Sequence, residues 1–260
     1  MTRYILIFLL LITVSCQKEY TVHVSEESTA GVAFLKVIHA SPNFRSITGQ
    51  QDTFNIYIAG RKVNGNALSY NSNFPVAGTN TYMAVNAGMQ EIRLGTDSIS
   101  IYSLNKQLEA GKHYTFMITD SINTASRDSS RIFVEDAYTI PSAGSIGIRF
   151  IHAVINDTVG KKVDLFSYAK NSTVINNVSP DSVSGFISLG YNQQTADTFY
   201  VTRAATAGTP LSARIILAKQ AFNSTNITGA AAQRCFTLYF KGDGNLTTGT
   251  KGRTLAGFVH

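Results

Sequence analysis

Apolar residues are distributed along this chain in two different ways. Ile5 to Val14 is a nearly unbroken apolar run, about half the roughly 20 residues that a helix needs to cross a bilayer. From residue 32 onward, short apolar stretches alternate with turn residues. None of them sustains a 3.6-residue apolar period over helical length. The pattern predicts strands at 33–39, 54–59, 80–85, 89–95, 98–104, 113–119 and 131–135, then at 147–153, 162–168, 184–189, 197–203, 212–218, 234–241 and 253–259. Asn86-Ala87-Gly88 and Glu109-Ala110-Gly111-Lys112 read as turns, with glycine free to take positive φ.

The two sets of strands are related. Phe34-Leu35-Lys36-Val37-Ile38-His39-Ala40 aligns with Gly147-Ile148-Arg149-Phe150-Ile151-His152-Ala153, and each is an apolar strand with one central basic residue and a His-Ala ending. Downstream, Phe54-Asn55-Ile56-Tyr57-Ile58 aligns with Val163-Asp164-Leu165-Phe166-Ser167. A spacing of this length is too great for a solenoid and fits two duplicated domains. Seven short strands per copy, with a turn signal every 8–12 residues, favour tandem immunoglobulin-like β-sandwiches over barrels. The expected division is a signal peptide at 1–15, a lipidated cysteine and polar tether at 16–31, a first sandwich at 32–138 and a second at 146–260. Pro141 and Gly144 fall in the join.

Composition supports an all-β chain, with twelve tyrosines, fifteen phenylalanines and few charges. Cleavage before Cys16 removes one of the 22 basic residues and leaves the 16 acidic ones, a net +5. The basic residues are scattered, so the stripe that nucleic-acid binding requires is missing. Cys235 is the one other cysteine, and in an apolar strand it reads as a small core residue.

Arg3, the apolar run and Ser15 together form a secretory signal. Ile12-Thr13-Val14-Ser15-Cys16 resembles a bacterial lipobox, with Thr13 where leucine is usual. The resemblance implies acylation of Cys16, and two or more acyl chains anchor a protein stably where one does so only marginally. Gln17-Lys18-Glu19 resembles the short charged tag that sends some lipoproteins of Gram-negative bacteria to the cell surface. The expected location is therefore the outer membrane, with the cell surface favoured over the periplasmic face.

Lys36-Val37-Ile38-His39-Ala40-Ser41-Pro42-Asn43, followed by Phe54-Asn55-Ile56-Tyr57-Ile58-Ala59-Gly60, resembles the opening of the bacterial domain of unknown function 4397. Leu108 to Thr115 resembles its later Gly-x-x-Tyr-Thr strand. The second copy keeps Arg149, His152 and Asp164 but has Val154-Ile155 in place of Ser-Pro. The resemblance implies a β-sandwich lipoprotein and carries no activity over.

Candidate chemistry is sparse. His39 and His152 recur at the same place, but strand alternation puts each on an apolar face with Leu35 and Val37 or with Ile148 and Phe150. The expectation is that each closes a core edge and bonds the following loop, with Asn55 or Asp164 as a partner, rather than serving in catalysis or metal binding. His23, His113 and His260 lack ligand spacing, and no metal or cofactor is expected. Lys241-Gly242-Asp243-Gly244-Asn245 reads as a hairpin turn, since it lacks the acids of a calcium loop. Seven of the ten aspartates precede Ser or Thr. Where an aliphatic residue follows, the sequence resembles a bacterial O-glycan acceptor, which singles out Ser98, Ser121, Thr158 and Ser182; turn chemistry is the alternative. The functional expectation is a non-enzymatic surface module binding a glycan or an envelope protein. The other readings are a structural spacer and a carboxylate-dependent hydrolase.

Overall fold

The computed structural model describes residues 31–42, 44, 52–76, 81–97, 100–119, 131–154, 156–157, 161–191, 196–222 and 233–260. The chain is all-β. Its first half forms β1 (Val32–His39), β2 (Thr53–Ile58), β3 (Arg61–Lys62), β4 (Leu68–Ser69), β5 (Asn73–Phe74), β6 (Met83–Asn86), β7 (Gly88–Gly95), β8 (Ser100–Leu108), β9 (His113–Ile118) and β10 (Arg131–Glu135). Its second half forms β11 (Ser145–His152), β12 (Val163–Ser167), β13 (Ser172–Val178), β14 (Ser182–Val183), β15 (Ile187–Gly190), β16 (Asp197–Arg203), β17 (Ile216–Phe222), β18 (Cys235–Lys241) and β19 (Thr254–Val259).

These strands make four sheets. In the first half, β10-β9-β1-β5, with β6 also on β1, faces β3-β2-β7-β8, with β4 also on β2. In the second half, β14-β11-β18-β19, with β15 also on β11, faces β13-β12-β16-β17. One apolar core fills each sandwich: Leu35, Val37, Ile56, Leu94 and Phe116 in the first, Ile148, Phe150, Leu165, Val201 and Leu238 in the second. The opening strand of each half lies inside its sheet and runs parallel to a late strand, β1 with β9 and β11 with β18. In an immunoglobulin constant domain the first strand begins the ABED sheet instead.

Parallel strands are characteristically buried on both faces, and here a third core explains why. Ile38, Ala40, Met117 and Ile132 from the first half meet Ile151, Ala153 and Phe258 from the second. The sheets carrying β1 and β11 therefore pack back to back, giving four layers with a central seam. Strand alternation sorts the residues. Leu35, Val37 and His39 point into the sandwich, while Lys36 and Ile38 point into the seam.

Each strand predicted from the pattern overlaps an observed one. The prediction at 212–218 is displaced, because Leu211–Ala213 form a 3-10 turn after Pro210 and β17 starts only at Ile216. The pattern missed the two-residue strands β3, β4, β5 and β14, and it missed β13, where Asn176-Asn177 forms a bulge with Asn177 at φ 56°. Gly111, at φ 77°, makes the positive-φ turn expected of it.

Gly147 has a packing reason to lack a side chain. A Cβ there would stand 2.5 Å from Cys235 Sγ but 3.4 Å from Cys235 Cβ. The equivalent positions in the first half, Phe34 and His113, share the space differently by stacking at 4.6 Å. Gly147→Ala is expected to cost about 1–3 kcal/mol through overpacking. Adding Cys235→Ala should recover most of that loss in urea denaturation of the full chain. An additive double variant would rule out this clash as the cause.

Candidate functional site

The central basic residue of the repeat is the key to the seam. Lys36 lies opposite Thr115 on β9, and Arg149 lies opposite Thr237 on β18. Asp136 follows β10 and donates its N–H to the His113 carbonyl, as His260 follows β19 and donates to that of Cys235. Tyr82 precedes β6 and Phe186 precedes β15, at matching registers on β1 and β11. The two halves thus present equivalent positions to each other across a pseudo-twofold axis.

These residues close a ring of hydrogen bonds. Arg149 forms a buried ion pair with Asp136, and its Nε donates to Thr237 Oγ1 at 3.0 Å. Tyr82 and Thr115 each donate to Asp136 Oδ2, at 2.9 and 2.7 Å. His260 completes the circuit, with Nδ1 at 2.8 Å from the Tyr82 oxygen and Nε2 at 2.7 Å from Thr237 Oγ1. Counting protons fixes the tautomer. The single Tyr82 hydroxyl proton goes to Asp136, so His260 donates from Nδ1 to Tyr82. Burial pushes the His260 pKa down to about 3, which keeps the ring neutral and leaves Nε2 to accept from Thr237. Lys36 packs over the Tyr82 and Phe258 rings, at 4.6 and 4.3 Å. Burial draws its pKa down to about 8 against the attraction of Asp136. Arg149 stands over Phe186 in the same manner, at 4.8 Å.

The repeated histidines lie elsewhere, fully buried inside the sandwiches. His39 stacks on Phe54 at 4.8 Å and meets Phe44 edge-on at 5.1 Å. Neither ring nitrogen makes a well-formed hydrogen bond among the described residues, although the Asp52 backbone lies close enough to favour the charged ring. Burial pushes its pKa down to about 4, and nearby Asp52 offsets only part of that. His152 accepts the Val154 N–H at Nδ1, at 3.3 Å, so its proton sits on Nε2, which is buried without a well-formed hydrogen bond among the described residues, the Lys161 backbone lying near the ring. Burial brings its pKa to about 4 as well.

The partners expected for these histidines are bonded to other groups. Asn55 donates to Asp97 at 3.4 Å. Asp164 pairs with Arg214 at 2.8 Å and accepts the N–H groups of Asn177 and Ala205, at 2.8 and 3.1 Å. Both side chains point out of the sandwich, away from the histidine face, because residue alternation on β2 and β12 places them there.

Buried carboxylates recur, each with its own partners. Asp157 is gripped by both terminal nitrogens of Arg203, at 2.5 and 2.6 Å. Asp197 accepts from the Ser167 hydroxyl at 2.5 Å and from the Ala169 N–H at 2.8 Å. Among the described residues no group of three or more His, Cys, Asp or Glu side chains is placed to hold a metal. Asp243, within the β18–β19 hairpin loop, accepts from Asn156 and from the Asn245 N–H, at 2.7 and 2.9 Å. Cys235 is buried, which raises its thiol pKa, so it is a weak nucleophile. Of the acceptor candidates, Ser182 begins β14 and its hydroxyl donates to the Pro180 carbonyl at 3.4 Å. Cys16, Ser98, Ser121 and Thr158 lie outside the described residues.

One cleft of about 400 Å³ opens on the outer sheet of the second half, over the Asp164–Arg214 pair. A second, of about 470 Å³, lies between residues 137–142 and β15.

Four stacked sheets, a buried polar seam and internal duplication define an all-β sandwich protein. Residues 33–158 match the model of the family described as Domain of unknown function (DUF4397), so the chain carries a DUF4397-like domain. That stretch spans β1 to β11 together with His39, His152 and the Arg149–Asp136 pair. No curated protein matches the chain.

Proposed function

We propose that this protein is a lipid-anchored envelope lipoprotein, acylated at Cys16, that serves as a non-enzymatic binding or adhesion module for a glycan or protein partner. It is held at the outer membrane, on the cell-surface side. The observation that carries the reading is how the buried carboxylates are used. Asp136, Asp157 and Asp164 are each committed to an arginine, whereas hydrolysis needs free carboxyl groups facing one substrate. The seam packs the two copies against each other through Ile38, Ala40 and Met117 on one side and Ile151, Ala153 and Phe258 on the other, which favours a fixed relation between their loops. Loops on a rigid β scaffold commonly carry binding.

A Cys16→Ala variant should lose acylation and move out of the membrane fraction. Persistent detergent-dependent partitioning would overturn the anchor. Protease shaving of intact cells should remove the protein if it faces outward. Binding is tested on arrays of glycans and envelope proteins, and a full chain that captures nothing on either array contradicts the module reading.

A further inference from the structure

Residue alternation on β12 sends Val163 and Leu165 inward and Asp164 and Phe166 outward. Outward residues of an outer sheet ordinarily meet solvent, yet Asp164 and Phe166 are each only 1% exposed. The segment between β16 and β17 folds back over them and, with β13, encloses the 400 Å³ cleft. That volume falls within the roughly 300–1,000 Å³ range of small-molecule sites.

We propose that this cleft binds a neutral, hydroxyl-rich ligand of the saccharide class. The inference rests on the binding-module reading and names its site. Three features carry it. First, the guanidinium is fixed and its charge is cancelled. Arg214 reaches Asp164 at 2.8 Å and Thr202 Oγ1 at 3.2 Å through Nη1, and the Thr209 carbonyl at 2.9 Å through Nε. It also lies over the Phe166 ring at 5.3 Å. The cleft wall has no other ionisable group, so it offers a free anion no net attraction and a metal only one carboxylate.

Second, the wall is made of the groups that match vicinal hydroxyls. Asn171, Asn176 and Asn177 bring paired N–H donors and carbonyl acceptors, and Thr173 and Thr206 bring hydroxyls. Thr173 Oγ1 is buried with no hydrogen-bond partner among the described residues, a cost that a ligand hydroxyl would relieve. Third, the walls are braced from beneath. Asp164 accepts the backbone N–H of Asn177 on one side and of Ala205 on the other, so the cleft is held open by the same ion pair that neutralises it. In the first half Asn55 replaces Asp164 and bonds Asp97, which confines this construction to the second copy.

The test is a titration of the purified full chain in detergent with neutral mono- and oligosaccharides, with sialylated and sulfated sugars alongside, read by saturation-transfer NMR and calorimetry. A neutral sugar should bind. Thr173→Val, an isosteric change, should weaken it about three- to tenfold, the loss of one hydrogen bond. Ala207→Trp, at the exposed rim, should abolish it with the thermal midpoint unchanged. Should the tryptophan variant fail to fold, Thr173→Val still decides. Undiminished binding in Thr173→Val, or a preference for the anionic sugars, overturns the proposal. Capture of an envelope protein that Ala207→Trp leaves intact, with no sugar bound, overturns the cleft assignment and leaves the module reading standing. Capture of nothing at all overturns both.

Discussion

Asp136→Ala will destabilise the folded chain by about 3–5 kcal/mol, the cost of stranding one partner of a buried ion pair. The effect belongs at the high end because Asp136 receives donors from both halves: Arg149 and, at 2.9 and 2.7 Å, Tyr82 and Thr115. Its removal leaves Arg149 charged in a layer where that side chain is 2% exposed. It also opens the ring, so the Tyr82 proton loses its acceptor and the His260 tautomer is no longer fixed. Urea midpoints of the full chain measure the loss. Replacing Asp136 and Arg149 together by leucine and methionine should restore most of it, since a buried pair exchanged for apolar side chains is often neutral. A single variant that melts like the parent would show that the pair does not hold the seam.

Acid will begin to weaken the protein at about pH 6.5, before most carboxylates titrate. His39 and His152 have folded pKa values near 4, and His260 near 3, against an ordinary 6.5. Between about pH 4 and 6.5 the unfolded chain binds protons that the folded chain refuses, so stability falls as pH falls through that window. Each histidine contributes a slope of up to about 1.4 kcal/mol per pH unit, or about 4 for the three together. Lys36 and Lys241, with pKa values lowered to about 8 by burial, act with the same sign between about 8 and 10.5. Tyr70 and Tyr239, pushed up to about 12 by burial, reverse the slope above 10. Maximum stability should therefore lie on the alkaline side, at about pH 10, where the rising lysine contribution meets the falling tyrosine one. His39→Leu should remove about a third of the acid slope at little cost at pH 8, because its ring nitrogens make no well-formed hydrogen bond among the described residues. Denaturant midpoints that stay flat from pH 7 to pH 4.5 would contradict this account.

The strands were legible from the sequence because each carries its own local signal. Apolar alternation marked β2, β7 and β16, and the turn glycines marked their ends. The duplication was legible because Lys36 to Ala40 and Arg149 to Ala153 are so nearly the same. The seam was harder to read. Alternation on β1 distinguishes two faces, and Leu35, Val37 and His39 account for one of them. The other, Phe34, Lys36 and Ile38, is nearly as apolar, and that second apolar face was the available sign of a further layer. Lys36 and Arg149 concealed it, since a charge at the centre of a strand ordinarily marks the solvent face. The partners that make burial tolerable, Tyr82, Asp136 and His260, lie far apart in the sequence and carry no motif. Asp164 was singled out for its place in the repeat, but Arg214, fifty residues on, is what defines its chemistry.

The pseudo-symmetry of the seam also decides which halves can recognise one another. Arg149 meets Asp136 across the axis, and the symmetry-related contact sets Lys36 near His260, where both side chains are pushed toward their neutral forms. Two second halves placed face to face would bring Arg149 against His260 twice, with no carboxylate to receive either arginine. Two first halves would pair Lys36 with Asp136 but would give up the Arg149 fork and the Thr237–His260 link. The favourable arrangement is one of each. The two repeats thus fit as a lock and its key, and unlike halves are favoured over like ones by the charges that each wrong pairing would leave buried.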